Sequence, residues 1–345
     1  MAVESVTGSP GSAKPAPSAG VWRTGFARLA QDRFAMLALF AFLVIVAASL
    51  GAPWYAQYVA HTDPFHSNID GEIELDGQTV SVIQGSTEGL GLGQTPLGPT
   101  WRAAYFLGAD NQGRDIAARI LYGGRYSLGI AGAATLICLA LGGVIGVVAG
   151  FFGGIIDQVL SRILDVLWAF PVYLLAISLS IVLISKGLEI GPFTIEAGSL
   201  LLPIVIIGII FVPYVARPIR AQVLTLRRSD FVLASIGFGV PSHRILLFDI
   251  LPNVSTTLIV FVPLMMALNM LTESALSFLS IGVQEPNASW GTIIQDGLAL
   301  LYTRPMVALA PGLAIAASVL ALNVFGDGLR DALDPRSKLR IRGGT

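Results

Sequence analysis

The chain offers few side chains of the types and spacing that catalysis or metal binding requires. Its 345 residues include one cysteine, Cys138, and three histidines. A single cysteine excludes a disulfide within the chain and argues against a cysteine-based metal cluster. His61 and His66 stand apart from other metal-binding side chains, so no metal site is predicted. No glycine is followed by lysine, which excludes the Gly-x-x-x-x-Gly-Lys phosphate loop and ATP binding by that route.

The composition is typical of an integral membrane protein. Hydrophobic residues make up 54% of the chain and charged residues only 12%, whereas soluble domains carry about 25% charged residues. So few charges cannot cover a water-facing surface, and contact with membrane lipid is expected. The formal net charge of −1 indicates no particular partner, and no nucleic acid partner is predicted.

Stretches without acidic or basic residues predict the membrane spans. A helix of 20 residues rises about 30 Å, which matches the hydrocarbon core, and only helices of this length satisfy their backbone groups there. The windows are 34–62, 126–156, 166–185, 197–216, 250–272 and 305–326. We trim the first two to 34–52 and 128–150, and the third helix is expected to start near Ile155. The predicted fold is all-α and membrane-embedded, with six transmembrane helices.

The basic residues predict the orientation. With the N-terminus in the cytoplasm, most of the 21 Lys and Arg residues fall on the cytoplasmic side, so both termini are predicted to be cytoplasmic. A cleaved signal peptide is not expected, and residues 1–20 are predicted to be disordered. The predicted regions are a cytoplasmic tail (1–33), the first span (34–52), an extracytoplasmic segment (53–127), a core with five spans (128–326) and a second cytoplasmic tail (327–345).

The extracytoplasmic segment contains a hairpin signal. The sequence "EIELDGQTVSV" alternates on both sides of Asp76 and Gly77, which predicts a tight hairpin at 72–82. We interpret it as a small surface element, and contact with a delivery protein is the alternative.

The cytoplasmic loop at about 217–250 has the features of a docking protrusion. Ser229 or Asp230 is suited to cap a helix beginning near Phe231. Gly239 permits a sharp turn, and Pro241 fits the first turn of a second short helix. Such a protrusion suits a groove on another protein, whereas an ordinary amphipathic loop helix is the alternative interpretation.

The spacing in this loop resembles the EAA loop of permease subunits of ATP-binding-cassette (ABC) importers. In that motif Glu-Ala-Ala is followed by three residues and a glycine, and then by about nine residues and a hydrophobic-x-Leu-Pro group. The corresponding residues here are Leu233, Ala234 and Ser235, then Gly239, then Leu251 and Pro252. Leu233 replaces the glutamate and Ser235 an alanine, so the salt bridge from the glutamate position is absent. Coupling would then rest on shape, apolar contact and Arg244 or nearby basic residues.

Three further stretches resemble the dipeptide, oligopeptide and nickel permease subfamily, in its C-type member. They are residues 107–132, 273–297 and 311–336, which begin "LGADNQGRDIAARI", "ESALSFLSIG" and "PGLAIAASVL". The resemblance covers roughly 25–60 and 105–340, and the part at about 61–104 has no counterpart in it.

This resemblance implies a permease subunit that forms half of a translocation pathway for di- or oligopeptides or related small solutes. The chain itself would be no enzyme and would bind no cofactor, since ATP and Mg²⁺ would lie on partner ATPases. The implied partners are a homologous B-type permease, two ATPase subunits and an extracytoplasmic substrate-binding protein, in a bacterial or archaeal plasma membrane. The residues implied to couple to the ATPases are Phe231, Ala234, Ser235, Gly239, Val240, Arg244, Leu251 and Pro252.

Three residues are candidates for the pathway or its gate. Glu273 follows a long uncharged run, where a carboxylate needs water or a partner, so it either lines the pathway or makes a structural contact. By the resemblance, Asn287 and Trp290 lie at the pathway mouth. An aromatic anchor at the membrane interface is the alternative for Trp290.

Other polar and small residues predict packing. Gly142, Gly143, Gly146 and Gly150 recur at helical intervals, which indicates close helix contact. Asp165 is expected to pair with Arg162 or Arg220. A second group predicts a surface-lying helix with i,i+4 ion pairs that leads into span two. It consists of Asp110, Arg114, Asp115 and Arg119.

Two other classes of function remain open from the residues alone. A stand-alone secondary carrier or channel would usually show inverted repeats or broken helices, and no clear repeat is found. A membrane scaffold protein without a transport role is the other. The EAA-like loop favours the importer over both.

Overall fold

The computed structural model describes residues 21–75, 77–85 and 93–333. Asp76 of the predicted turn, residues 1–20 with their predicted disorder, and the C-terminal residues 334–345 lie outside this description. Most of the described residues are helical. The helices are α1 (Val21–Leu29), α2 (Arg33–Leu50), α3 (Ala52–Trp54), α4 (Ile116–Phe152), α5 (Gly154–Ala169), α6 (Val172–Lys186), α7 (Leu201–Ile210), α8 (Val212–Leu226), α9 (Asp230–Gly237), α10 (Ser242–Arg244), α11 (Leu251–Phe278), α12 (Trp290–Gly297) and α13 (Met306–Leu333).

Short strands form three separate two-stranded antiparallel sheets. The pairs are β1 (Glu72–Leu75) with β2 (Gln78–Ser81), β3 (Ile83–Gly85) with β4 (Gln94–Pro96), and β5 (Leu188–Ile190) with β6 (Phe193–Ile195). The first pair lies where the alternating sequence predicts a hairpin, with Leu75 opposite Gln78 next to the turn.

Among the described residues, five helical runs are long and apolar enough to cross a membrane, and a bent pair of helices makes a sixth when its two halves are counted as one span. The five runs are Arg33–Leu50, Ile116–Phe152, Leu201–Leu226, Ser242–Phe278 and Met306–Leu333, and the bent pair is Gly154–Ala169 with Val172–Lys186. The all-α membrane fold that the sequence predicts is therefore confirmed.

The packing of the chain ends supports the sixth crossing. Leu29, at the end of α1, and Ala35, at the start of α2, share an apolar cluster with the end of α13, namely Leu329, Ala332 and Leu333. The first and last spans therefore meet the same side of the membrane. A chain that starts and finishes on one side crosses an even number of times, so α5 and α6 together count as one crossing.

The third span is not the straight helix that the apolar window 166–185 predicts. Helix α5 ends at Ala169, Phe170 is extended (φ −93°, ψ 139°), and α6 begins after Pro171. The two helices meet at 88°. Proline lacks an amide hydrogen and disfavours helical geometry in the residue before it, which explains the break.

Several spans extend beyond their predicted ends. Helix α4 has 37 residues and begins at Ile116 rather than near 128, so it is about 55 Å long and projects from the membrane. Helix α13 continues to Leu333, past the predicted boundary at 326. Apolar windows mark the part of a helix that lies in lipid, whereas the helix itself ends where its backbone is capped.

The core forms where α4 packs against α8. A Cβ atom on Gly142 would lie 2.8 Å from the Val215 Cβ, and one on Gly146 would lie 2.6 Å from the Ala216 carbonyl oxygen. Gly150 is equally close to the carbonyl of Arg220. The prediction of close helix packing at these glycines is confirmed, because no larger side chain fits between the two backbones.

Candidate functional site

Helix α9 projects an apolar face away from the protein. Val232 is fully buried and anchors the helix, together with the buried Ile245 and Ile250 of the following π-helical turn (Ile245–Ile250). On the other side Phe231, Leu233 and Ile236 are about half exposed, and Phe238 is 87% exposed. Ala234 is exposed and Ser235 half-buried between them. A short helix with large exposed apolar residues is suited to a groove on another protein.

The turn after α9 depends on glycine. The Phe238 amide donates to the Ala234 carbonyl (2.9 Å) and the Val240 amide to the Ser235 carbonyl (3.1 Å). Gly239 has a φ of +73°, a conformation that favours glycine, and a Cβ there would meet no atom of this chain within 4 Å. The backbone at Gly239 is thus open to contact with another protein. Pro241 then leads into α10.

Leu251 and Pro252 lie inside a continuous helical run rather than at a bend. Helix α10, the π-helical turn and α11 together form Ser242–Phe278. Pro252 therefore does not redirect the chain where it enters this span. A proline clashes with the carbonyl four residues before it, and the wider π-helical turn directly before α11 relieves that clash.

Basic residues flank the apolar face of α9. Arg227, Arg228 and Arg244 are exposed. Within the described part of the chain none of the three makes a salt bridge. Their charges are therefore available to an acidic partner surface, in line with the role expected of Arg244.

Ion pairs join α5 to α8 near the same side of the membrane. The Arg220 guanidinium donates to both oxygens of Asp157, at 2.5 and 2.6 Å. The Arg217 guanidinium donates to Asp165 at 2.8 Å and lies over the Trp168 ring, 4.5 Å from its centre. Asp165 was expected to pair with Arg162 or Arg220. Its main partner is Arg217, because Arg162 lies farther away at 3.8 Å and Arg220 is taken by Asp157.

Glu273 is fully enclosed by hydroxyl groups. The Ser277 hydroxyl donates to its carboxyl at 2.7 Å, and the hydroxyls of Ser127, Ser274 and Ser289 also lie within hydrogen-bonding contact. These serines belong to α4, to α11 and to the residue that caps α12. The carboxyl therefore holds three helices together. This arrangement favours the structural interpretation of Glu273, and its role in the pathway stays a prediction.

Trp290 begins α12 and is buried inside the chain. It is 1% exposed, its indole Nε1 donates to the Ile120 carbonyl (2.9 Å), and its amide donates to the Ser127 hydroxyl (3.1 Å). The interpretation of Trp290 as an aromatic anchor at the membrane interface is therefore wrong, since the ring packs between helices. Asn287, three residues earlier, is half-buried.

A buried ion cluster ties α12 to the entrance of α4. Arg114 and Arg119 each donate to both Asp110 and Asp296; the Asp296 contacts measure 3.1 and 3.0 Å and the Arg114–Asp110 contact 2.7 Å. Both arginines are 4% exposed, so the predicted surface-lying helix is wrong at these residues. Burial raises the pKa of the Asp296 carboxyl, and the two arginines oppose that rise. Nothing in the local sequence pointed to Asp296, which is 177 residues from Arg119.

Asp115 organises the end of the extracytoplasmic segment. Its carboxylate accepts from the amides of Ala117 (2.9 Å) and Ala118 (3.2 Å), and so caps α4. It also accepts from the Tyr105 amide (2.8 Å) and the Thr62 hydroxyl (3.1 Å). Burial raises the pKa of this carboxyl, while these four donors lower it. An aspartate directly before an apolar run is a recognised start signal, and it would have placed the start of α4 correctly.

Comparisons with known proteins relate the chain to transport permeases. Residues 142–339 match the family described as binding-protein-dependent transport system inner membrane component. The chain is 38% identical to the dipeptide transport system permease protein DppC of Alkalihalophilus pseudofirmus over 68% of this chain and 73% of that protein. It is 34% identical to the oligopeptide transport system permease protein OppC of Bacillus subtilis over 92% of this chain and 91% of that protein.

A solved structure shows the same fold. It is an inward-facing conformation of the MetNI methionine ABC transporter, with a TM-score of 0.50 and 15% identity, over 63% of this chain and 96% of that one. The chain therefore belongs to the binding-protein-dependent transport system inner membrane component family, and it is a permease subunit of an ABC importer.

Proposed function

We propose that this chain forms half of a peptide translocation pathway and receives the work of ATP hydrolysis through α9. The observation that carries the proposal is the exposed apolar face of α9, with Phe238 at its tip and arginines at its flanks. In this proposal two ATPase subunits, which hold ATP and Mg²⁺, dock on that face from the cytoplasm. Movement of α9 is transmitted through the continuous run Ser242–Phe278 to the extracytoplasmic side.

The proposed orientation has both chain ends and α9 in the cytoplasm. The ends share one side of the membrane, and the basic residues concentrate there. The hairpin of β1 and β2, the ion cluster and α12 then face the outside, where a substrate-binding protein would deliver its cargo. A homologous B-type permease is the proposed second half of the pathway.

Peptides are the proposed substrate class. Both relatives described above are named as peptide permeases, one for dipeptides and one for oligopeptides. Glu273, Asn287 and Trp290 are proposed to shape the outer end of the pathway indirectly, by fixing where α12 lies.

Co-purification tests the docking surface directly. The tagged chain is purified from native membranes in mild detergent as wild type, as Phe238→Asp and as Tyr302→Asp. Phe238 and Tyr302 are both almost fully exposed, and they are separated along the chain by the span Ser242–Phe278. We expect two ATPases and a second permease to accompany the wild type and Tyr302→Asp. The ATPases should be lost from Phe238→Asp, because a buried unpaired carboxylate disrupts an apolar contact.

Two results would contradict the proposal. One is a chain that purifies alone or only with copies of itself, which would favour a stand-alone carrier. The other is an equal yield of ATPases from Phe238→Asp and Tyr302→Asp, which would place the docking surface elsewhere.

A further inference from the structure

The extracytoplasmic segment encloses a cleft of about 700 Å³. Its walls are the end of the helical turn at residues 59–60, the loop at 61–68, strand β1 and the loop at 102–105. Pockets for small ligands have volumes of about 300–1,000 Å³, so the cleft is large enough for a short peptide.

Strand β1 presents an unpaired edge to this cleft. It pairs only with β2 among the described strands. The Val82 amide donates to the Gly71 carbonyl (2.8 Å), so Gly71 and Val82 form a hydrogen-bonded pair. In an antiparallel hairpin every second residue pair is hydrogen-bonded in this way. Hydrogen bonds to β2 therefore fall at Ile73 and Leu75, and the backbone N–H and C=O groups of Glu72 and Glu74 point away from β2. In the described part of the chain, these outward groups have no backbone partner.

The lining of the cleft shows that it lies along this edge. All four residues of β1, Glu72 to Leu75, contribute to it. A ligand on one face of a strand would touch alternate residues, whereas a ligand along the edge touches consecutive ones. The unpaired backbone groups are thus accessible from the cleft.

The two sides of the edge differ in chemistry. Ile73 and Leu75 pack towards the apolar cluster around Val82, Leu97 and Tyr105. The side chains of Glu72 and Glu74 project on the opposite side and are exposed. An added strand would therefore place alternate side chains against an apolar surface and against two carboxylates.

A further acidic group lines the same cleft. The Asp63 carboxylate lies 2.7 Å from the His66 ring nitrogen. Arg102 is the basic residue on the opposite wall. Three carboxylates against one arginine give the lining an excess of acidic side chains.

We propose that this cleft binds an extended peptide, which pairs with β1 as an additional strand and carries alternating basic and apolar side chains. Such strand addition supplies main-chain hydrogen bonds for affinity and side-chain contacts for selectivity. The four residues of β1 span about 14 Å, so an extended peptide of five residues covers the whole edge. The peptide is of the class that the proposed function transports. The inference rests on the proposed function only where it identifies the bound peptide with the transported substrate.

Binding of synthetic peptides to the full-length chain in lipid nanodiscs tests the proposal. The probe is a fluorescent Lys-Val-Lys-Val-Lys peptide amide, and affinity is measured by anisotropy. N-methylation of alternate backbone amides removes the donors that a paired strand needs. We expect it to weaken binding about tenfold when the methyl groups face β1, as for the loss of about two hydrogen bonds. Methylation of the other set should have a smaller effect.

Variants of the chain provide the matched comparison. The double variant Glu72→Gln and Glu74→Gln should weaken binding about tenfold and remove the preference over Glu-Val-Glu-Val-Glu. Glu189→Gln alters an exposed glutamate on strand β5 of another hairpin, outside the cleft, and should change nothing. Equal binding of both methylated peptides, or no binding at all, would overturn the proposal. A double variant that binds peptide normally but loses affinity for the substrate-binding protein would also overturn it, and would assign the edge to protein docking.

ATP-driven uptake into proteoliposomes, which hold the co-purified importer with the same variants of this chain, separates this inference from the proposed function. Uptake without peptide binding in the cleft would overturn the proposed peptide site and leave the proposed function standing. Peptide binding in the cleft without ATP-dependent uptake would support the cleft and count against the proposed function.

Discussion

Gly146 shows how one missing side chain sets the distance between two spans. A Cβ atom there would lie 2.6 Å from the Ala216 carbonyl oxygen and 2.8 Å from the Ile219 Cβ. Neither of these atoms can rotate away, because one is backbone and the other is fixed to it. Helices α4 and α8 would have to separate.

The substitution Gly146→Ala is therefore expected to destabilise the protein by about 1–3 kcal/mol, as overpacking does. Gly129→Ala is the control, because Gly129 lies in the same helix and has open space around it. Alanine is the better helix former by about 1 kcal/mol, so this control should be neutral or stabilising. Thermal unfolding in detergent measures both. Equal melting temperatures for the two variants would contradict the packing described here.

At the scale of single residues, the sequence predicted what is local or periodic. The glycine row of α4 and the turn at Gly239 depend on spacing within one element, and spacing is visible in a sequence. The partners of Asp296 and the burial of Trp290 depend on segments far apart in the chain. No periodicity links them, so they emerge only once the fold is known.

At the scale of elements, α12 is held at three points. The Glu273 carboxyl contacts the serine that caps it, its first residue bonds to α4, and Asp296 near its end joins the ion cluster. Gly291 brings its backbone against α11, where a Cβ would lie 2.3 Å from the Ser274 carbonyl oxygen. The helix is therefore held in a fixed position against α4 and α11.

Loss of one partner from the ion cluster should be costly. In Asp296→Ala, the buried Arg114 and Arg119 share Asp110, and Arg114 also keeps the exposed Glu285 at 3.6 Å. We expect a destabilisation of about 3 kcal/mol. Arg162→Ala removes an exposed ion pair 3.8 Å long and should cost less than about 1 kcal/mol. Thermal unfolding again reports both. A melting temperature of Asp296→Ala as high as that of Arg162→Ala would show that the ion cluster does not hold α12 in place.

The elements themselves were partly predictable. Each apolar window corresponds to a crossing, because hydropathy reports the length of chain that lipid can accept. The 88° bend at Pro171 and the extension of α4 back to Asp115 were missed. Those features depend on backbone capping and on proline geometry, which hydropathy does not measure.

At the scale of the whole molecule, the number of crossings determines the side on which each site lies. Cys138 is buried in the core and is shielded from thiol reagents. Labelling of a cysteine introduced at the surface therefore shows on which side of the membrane that cysteine lies. Thr79→Cys, on the hairpin, should react with a membrane-impermeant maleimide in intact cells. Ser242→Cys, in the loop proposed to be cytoplasmic, should react only after the cells are permeabilised. The reverse pattern, or labelling of both in intact cells, would contradict six crossings with cytoplasmic ends.

The central claim is that α9 couples transport to separate ATPases, and uptake of a labelled peptide into proteoliposomes tests it most directly. The co-purified importer is reconstituted with its substrate-binding protein outside and ATP supplied on the side that α9 faces. The account predicts uptake that requires ATP, persists in Tyr302→Asp and falls to background in Phe238→Asp. Uptake that proceeds without ATP, or that is equal in the two variants, would contradict it.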